Sequence, residues 1–97
     1  MATYIVLGQF TDQGIRNVRE STKRAEAFKE LAKRAGATVK DVYWTLGGYD
    51  IVTIVEAPDD AAVTALLLSV GALGNVRTQS LRAFSADEMG RILSKLV

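Results

Sequence analysis

Four side chains in this sequence have the type and setting to do chemistry: Tyr43, Asp50, Arg82 and Arg24. Tyr43 offers a phenol. Asp50 offers a carboxylate just behind the glycine pair of "LGGYD" (residues 46–50), and Arg82 a guanidinium in line with the hydroxyls of Thr78 and Ser80. A phenol, an acid and a guanidinium among apolar walls are what a small-ligand pocket needs. Arg24 follows Ser21 by one helical turn, where a guanidinium beside the free N–H groups of a helix start makes an anion site. Each has a structural alternative. Asp50 can accept backbone N–H groups beside a turn or pair with a cation. Arg82 can belong to an ion pair, because an unpaired buried charge is costly. Arg24 can be a solvated cation paired with Glu20. For both arginines the structural alternative is the favoured one.

The missing residues narrow the chemistry. The chain has no Cys and no His. That removes disulfides, thiol nucleophiles, thiolate zinc sites, the Ser-His-Asp triad, haem ligation by His and the two-His iron site. No metal and no cofactor is expected. The net charge is +1, yet seven of the twelve basic residues lie between Arg16 and Arg34. Acids interleave them: Glu20 with Arg24 and Glu30 with Arg34 stand at i,i+4, the order a helix prefers. A solvated helix face is therefore favoured over nucleic-acid binding, and no nucleic-acid partner is expected. No apolar run approaches the roughly 18 residues of a membrane span. The start "MATYIVLGQF" lacks the basic region and cleavage pattern of a secretory signal, so a cytoplasmic protein is expected.

The elements that must position these residues can be read along the chain as a single domain, residues 1–97. "TYIVLGQF" is a β-branched and aromatic strand. "TDQG" supplies Thr11 or Asp12 as an N-cap, and an apolar stripe runs from Ile15 through Phe28 to Ala35, where Gly36 ends it. One helix over that span would be about 31 Å long, which is long for so small a domain. The pair Ser21-Thr22 reads as a break, with a short helical turn before it and Ser21 capping a longer helix after it. "TVKDVYWTL" and "YDIVTIVEA" meet at Gly47-Gly48, a hairpin signal because glycines supply the positive φ of the tight turns that suit twisted strands. Pro58 ends the second of these strands and Asp59 caps "DAAVTALLLSVGAL". "NVRTQSLRAF" is a fourth strand. In "SADEMGRILSKL", Ser85 and Glu88 form a capping box.

The order β-α-β-β-α-β-α is the split-βαβ, ferredoxin-like βαββαβ arrangement with an extra C-terminal helix. The first and third strands, central in that topology, are apolar on both faces (Tyr4, Ile5, Val6, Leu7; Ile51, Val52, Ile54, Val55), so both faces need cover. Helices can cover one face. A second copy of the sheet is the simplest cover for the other, which predicts at least a homodimer. A turn at Gly47-Gly48 pairs Leu46 with Tyr49 and Thr45 with Asp50. Val42, Trp44, Leu46, Tyr49, Ile51, Thr53 and Val55 then share the helix side, with Trp44 in the core and Tyr49 a packing residue that holds the register. Asp41, Tyr43, Thr45, Asp50, Val52, Ile54 and Glu56 share the other side. If Thr78, Ser80 and Arg82 also face that way, a cleft between sheets gathers the candidate site.

The chain resembles the GYD-domain family of small prokaryotic proteins nearly end to end. The residues that carry the likeness are "TDQGI" after the first strand, the Ser21 and Arg24 spacing, "GYDIV", "APDD" at residues 57–60 and "GNVRTQSLRAF". The resemblance implies a dimeric α+β barrel and no established biochemical role. The hairpin is also similar to the G-x-Y-D turn in effector-binding domains of the leucine-responsive/AsnC regulators, which bind amino acids between subunits; no DNA-binding helix-turn-helix precedes it here. The leading expectation is an oligomeric small-ligand-binding or regulatory module. The alternatives are a cofactor-independent oxygenase or isomerase using Tyr43, Asp50 and Arg82, and a purely structural oligomer, which the nearly all-apolar helix "AAVTALLLSVGAL" would serve.

Overall fold

The computed structural model describes residues 1–97. Strand β1 (Ala2–Phe10) leads into helix α1 (Asp12–Arg16), a 3₁₀ turn (Val18–Glu20) and helix α2 (Ser21–Arg34). Strands β2 (Thr38–Trp44) and β3 (Ile51–Ala57) form the hairpin, followed by helix α3 (Asp60–Ala72), strand β4 (Val76–Ala83) and helix α4 (Ala86–Leu93). The sheet is antiparallel in the order β2-β3-β1-β4, with the two-sided apolar strands β1 and β3 in the middle. This is the ferredoxin-like α+β fold.

Local sequence explains most boundaries. Thr11 caps α1, its hydroxyl accepting from Gly14 N at 3.0 Å. Asp59 caps α3 through Ala62 N, and Ser85 with Glu88 closes the capping box of α4. The break before α2 falls where expected, but Ser21 does not cap it. Glu20 holds the N-cap position without a side-chain bond, and the Ser21 hydroxyl instead accepts the indole N–H of Trp44 at 2.7 Å. An indole N–H held partly out of water needs an acceptor, and Ser21 supplies it. Trp44 itself is at the sheet edge with its ring half in solvent, not in the core.

The hairpin keeps the register that a turn at Gly47-Gly48 dictates: Trp44 opposite Ile51, Tyr43 opposite Val52, Val42 opposite Thr53 and Asp41 opposite Ile54. The strands end sooner than expected, leaving Thr45–Asp50 as a loop tied by Thr45 N to Asp50 O at 2.8 Å. Gly47 has φ +106°, and Gly48 does not have positive φ. At the far end of β2 a bulge between Val39 and Asp41 shifts the pairing, so Val39 faces Val55. A bulge that inserts one residue switches faces beyond it. Here it turns Val39 back toward the core, where it packs against the buried cluster.

Tyr4 and Val6 of β1 and Val55 and Ala57 of β3 are buried against Ala32, Ala37, Val63, Leu66 and Leu67. Facing residues share a side, so the helix side carries Tyr4, Val6, Gly8, Ile51, Thr53 and Val55. The opposite side carries Ile5, Leu7, Val52 and Ile54. At the N-cap of α2 and along it the acids pair at i,i+3, not at i,i+4: Glu20 with Lys23 at 3.5 Å and Glu30 with Lys33 at 3.4 Å. No helix is long and apolar enough to cross a membrane.

Candidate functional site

Asp50 lies where the hairpin leaves β1. Its carboxylate accepts Phe10 N at 2.9 Å while its own N–H donates to Gly8 O at 2.8 Å. It thus completes the ladder at the end of β1 and makes no ion pair. Alternation places Tyr49 on the helix side, but the chain between β2 and β3 is no longer a paired strand there. Its hydroxyl reaches across β1 to donate to Gln79 Oε1 at 2.7 Å, and Gln9 Nε2 donates to Gly48 O at 2.7 Å. Gln9 and Gln79 lie on the side away from the helices, so the tip of the hairpin folds over that side.

Tyr43 and Arg82 do not meet within the chain. Tyr43 pairs with Val52 on the open side of edge strand β2 and is 57% exposed. Arg82 is opposite Tyr4 on the helix side of the other edge strand, β4, together with Ser80 and Thr78. The expected gathering of Tyr43, Asp50 and Arg82 in one cleft fails for a simple reason: the polar stripe of β4 points toward the helices. Arg82 stacks on Phe84 at 4.5 Å and lies 5.8 Å from the Tyr4 ring. It pairs with Glu88 at 3.5 Å and donates to Thr3 O and Ala83 O.

That arrangement forms a polar cluster that sequence reasoning does not find. Tyr4 is buried, and its hydroxyl donates to Asp60 Oδ1 at 2.5 Å. The bond to Asp60 raises the Tyr4 phenol above its ordinary value of 10.0. Bonds from the Ser85 backbone and hydroxyl, with Arg82 nearby, hold the Glu88 carboxyl below its ordinary 4.5. The capping box signals Glu88. Nothing in the sequence signals Tyr4, whose pattern reads as core.

Arg24 braces α1 against α2. Its guanidinium donates to Asn17 O at 3.1 Å and Gly14 O at 3.2 Å, and lies 5.8 Å from the Phe10 ring. Glu20, its expected partner, pairs with Lys23, so Arg24 has hydrogen bonds but no ion pair.

The open side of the sheet carries an ordered set of rows. Leu81, Ile5 and Ile54 form one row across three strands, with Asp41 at its end. Gln79, Leu7, Val52 and Tyr43 form the next. Polar rows flank them: Thr3, Glu56 and Thr38 on one side, Arg77 and Gln9 on the other. An apolar centre inside a polar rim is the anatomy of a protein–protein contact.

Fold and surface together define a small ferredoxin-like module with one sheet face left open by its own helices. Residues 4–93 match the GYD domain, and the chain belongs to that family. It is 37% identical over 94 residues to the glutamine synthetase and cystathionine beta-lyase binding protein of Thermus thermophilus, covering 95% of this chain and 99% of that protein. It also resembles the crystal structure of TTHA0845 from the same organism, with a TM-score of 0.57, 27% identity and coverage of 89% of this chain and 96% of that one.

Proposed function

We propose that this chain is a protein-binding module that docks an enzyme of the kind its Thermus relative is named for, glutamine synthetase or cystathionine beta-lyase, on the open face of its sheet. The observation that carries this is the end-to-end likeness to a protein named for binding those enzymes. The apolar rows through Ile5, Ile54, Leu7 and Val52 supply the surface. A charge at their centre would be desolvated on docking without a partner, which is expensive. Purified wild-type chain should therefore bind one of the two enzymes in a titration, and Ile54→Glu should lose that binding while keeping its far-ultraviolet circular dichroism. A wild-type chain that binds neither enzyme overturns the partner. An Ile54→Glu chain that folds and binds as wild type does overturns the surface.

Self-association is a second reading, favoured by α4. That helix buries none of its residues within the chain, and Met89, Ile92, Leu93 and Leu96 are exposed. In this reading a second copy covers the stripe, and the same sheet face closes the dimeric barrel. Mass measured over a hundredfold dilution tests it; a monomer throughout rejects it.

A further inference from the structure

The core occupies only one end of the space between sheet and helices. At the other end, toward the hairpin tip, α2 and α3 stand apart over Gly8, Ile51 and Thr53 and leave a cavity of about 140 Å³. Its walls are apolar, with Phe28 and Leu31 from α2, and Leu67 and Val70 from α3. An apolar cavity of about 150 Å³ is large enough to take up benzene.

Two polar features do not fit a mere packing void. Thr53 lines the cavity, is only 6% exposed, and its hydroxyl has no hydrogen-bond partner. Its neighbours across the strands are Val6 and Val42, which offer no side-chain acceptor. A buried hydroxyl left unpaired is costly, so valine in its place would be better for stability alone. Arg24 also lines the cavity, a half-buried cation with no carboxylate paired to it. The guanidinium N–H groups not spent on Asn17 O and Gly14 O favour an anion.

Gly8 contributes the remaining room. A Cβ there would meet only Ile51 Cβ and O, both at 3.7 Å, and its φ is not positive, so the strand would accept a side chain. The space at Gly8 is thus not required by the backbone.

We propose that this cavity is a binding site for a small carboxylic acid: an apolar, ring-sized body seated between Phe28 and Leu67, its carboxylate on Arg24, and a hydroxyl or keto oxygen on the body meeting Thr53. The shape is that of most small-ligand sites, apolar with a few fixed polar groups. It lies on the opposite side of the sheet from the protein-docking face and stands independently of it.

The test uses the full chain with benzoate, 4-hydroxybenzoate and the neutral isostere benzamide, followed by heteronuclear NMR titration. Both acids should shift resonances of Phe28, Leu67 and Thr53, with benzamide at least tenfold weaker. Arg24→Gln should erase the preference for acid over amide, and Thr53→Val the preference for the hydroxylated acid. Gly8→Val, which fills the cavity, should abolish all three. Should Gly8→Val fail to fold, the Arg24 and Thr53 variants still decide. No shift at these residues with any probe, or equal binding of acid and amide to the wild type, overturns the proposal.

Discussion

The Asp50 carboxylate accepts the backbone N–H of Phe10 at 2.9 Å, while the Asp50 N–H donates to Gly8 O at 2.8 Å. One residue thus supplies both ladder partners where the hairpin parts from β1, and this explains an acid directly behind Tyr49. A partly buried bond to a charged acceptor stabilises by about 1.5–3 kcal/mol. Asp50→Ala should lower the stability measured by urea unfolding by that amount, and Asp50→Asn, which keeps an acceptor oxygen, by less. An unchanged urea midpoint for Asp50→Ala would show that the bond contributes nothing.

The two glycines of the tip should behave differently. Gly47 sits at φ +106° with open space around it, so the cost of a side chain there is backbone strain alone. Gly47→Val should destabilise by about 1–3 kcal/mol. Gly48 has ordinary φ and equal space. Gly48→Ala should be neutral or stabilising by up to about 1 kcal/mol, through the lower entropy of the unfolded chain. Equal melting temperatures for these two variants would contradict the assigned turn.

The fold is legible in the sequence because its signals are local and repeated. Alternation in β1 and β3, Pro58 before Asp59 and the Ser85–Glu88 box each point to one element, and the glycine pair sets the hairpin register through Asp41. The site is not legible, for two physical reasons. Alternation tells which β4 residues share a face but not which face meets the helices, so it leaves the side taken by Arg82 open, and the expected side is the wrong one. Alternation also stops where pairing stops, and Tyr49 lies beyond that point. The cavity has no sequence signal, because Gly8 and Thr53 read as ordinary strand residues until the divergence of α2 and α3 is seen.

Glu88 makes α4 sensitive to acid. Its carboxyl is held below 4.5 in the folded chain by the Ser85 bonds, then by Arg82. A depressed carboxyl stabilises fully above its unfolded value, and that contribution is lost as pH falls through the folded one. Helical circular dichroism should therefore decline below about pH 4.5, and Glu88→Gln should remove the difference between neutral and acid pH that α4 contributes. Identical acid profiles for the two proteins would refute this.

Tyr4 gives the alkaline counterpart. Its phenol is raised above 10.0, first by its bond to Asp60 and then by burial. A raised group contributes stability that is fully present below the unfolded value and lost as pH rises through the folded one. The chain has three tyrosines. In an ultraviolet absorbance titration one should ionise late, and Tyr4→Phe should delete that late step. If the late step survives in Tyr4→Phe, another tyrosine carries it.

Any side chain at Gly14 should destabilise the fold. A Cβ built there would stand 1.9 Å from Asn75 O, a backbone atom that cannot swing aside as a flexible side chain would. The closeness is needed because α1 is docked onto the turn between α3 and β4 by several bonds. Thr11 N donates to Asn75 O at 3.1 Å, the Thr11 hydroxyl to Gly74 O at 2.5 Å, and Gln13 Nε2 to Leu73 O at 3.0 Å. Arg24 then bonds to Gly14 O, so the brace across α1 and α2 depends on the same approach. Forcing one methyl into this contact must either break the Thr11 and Gln13 bonds or lift α1 from the turn. Overpacking of this kind costs about 1–3 kcal/mol. Gly14→Ala should therefore unfold at lower urea, and amide exchange should quicken at Thr11 more than in the central strands. A Gly14→Ala chain as stable as the wild type, with unchanged exchange at Thr11, would mean that α1 does not rest on Asn75.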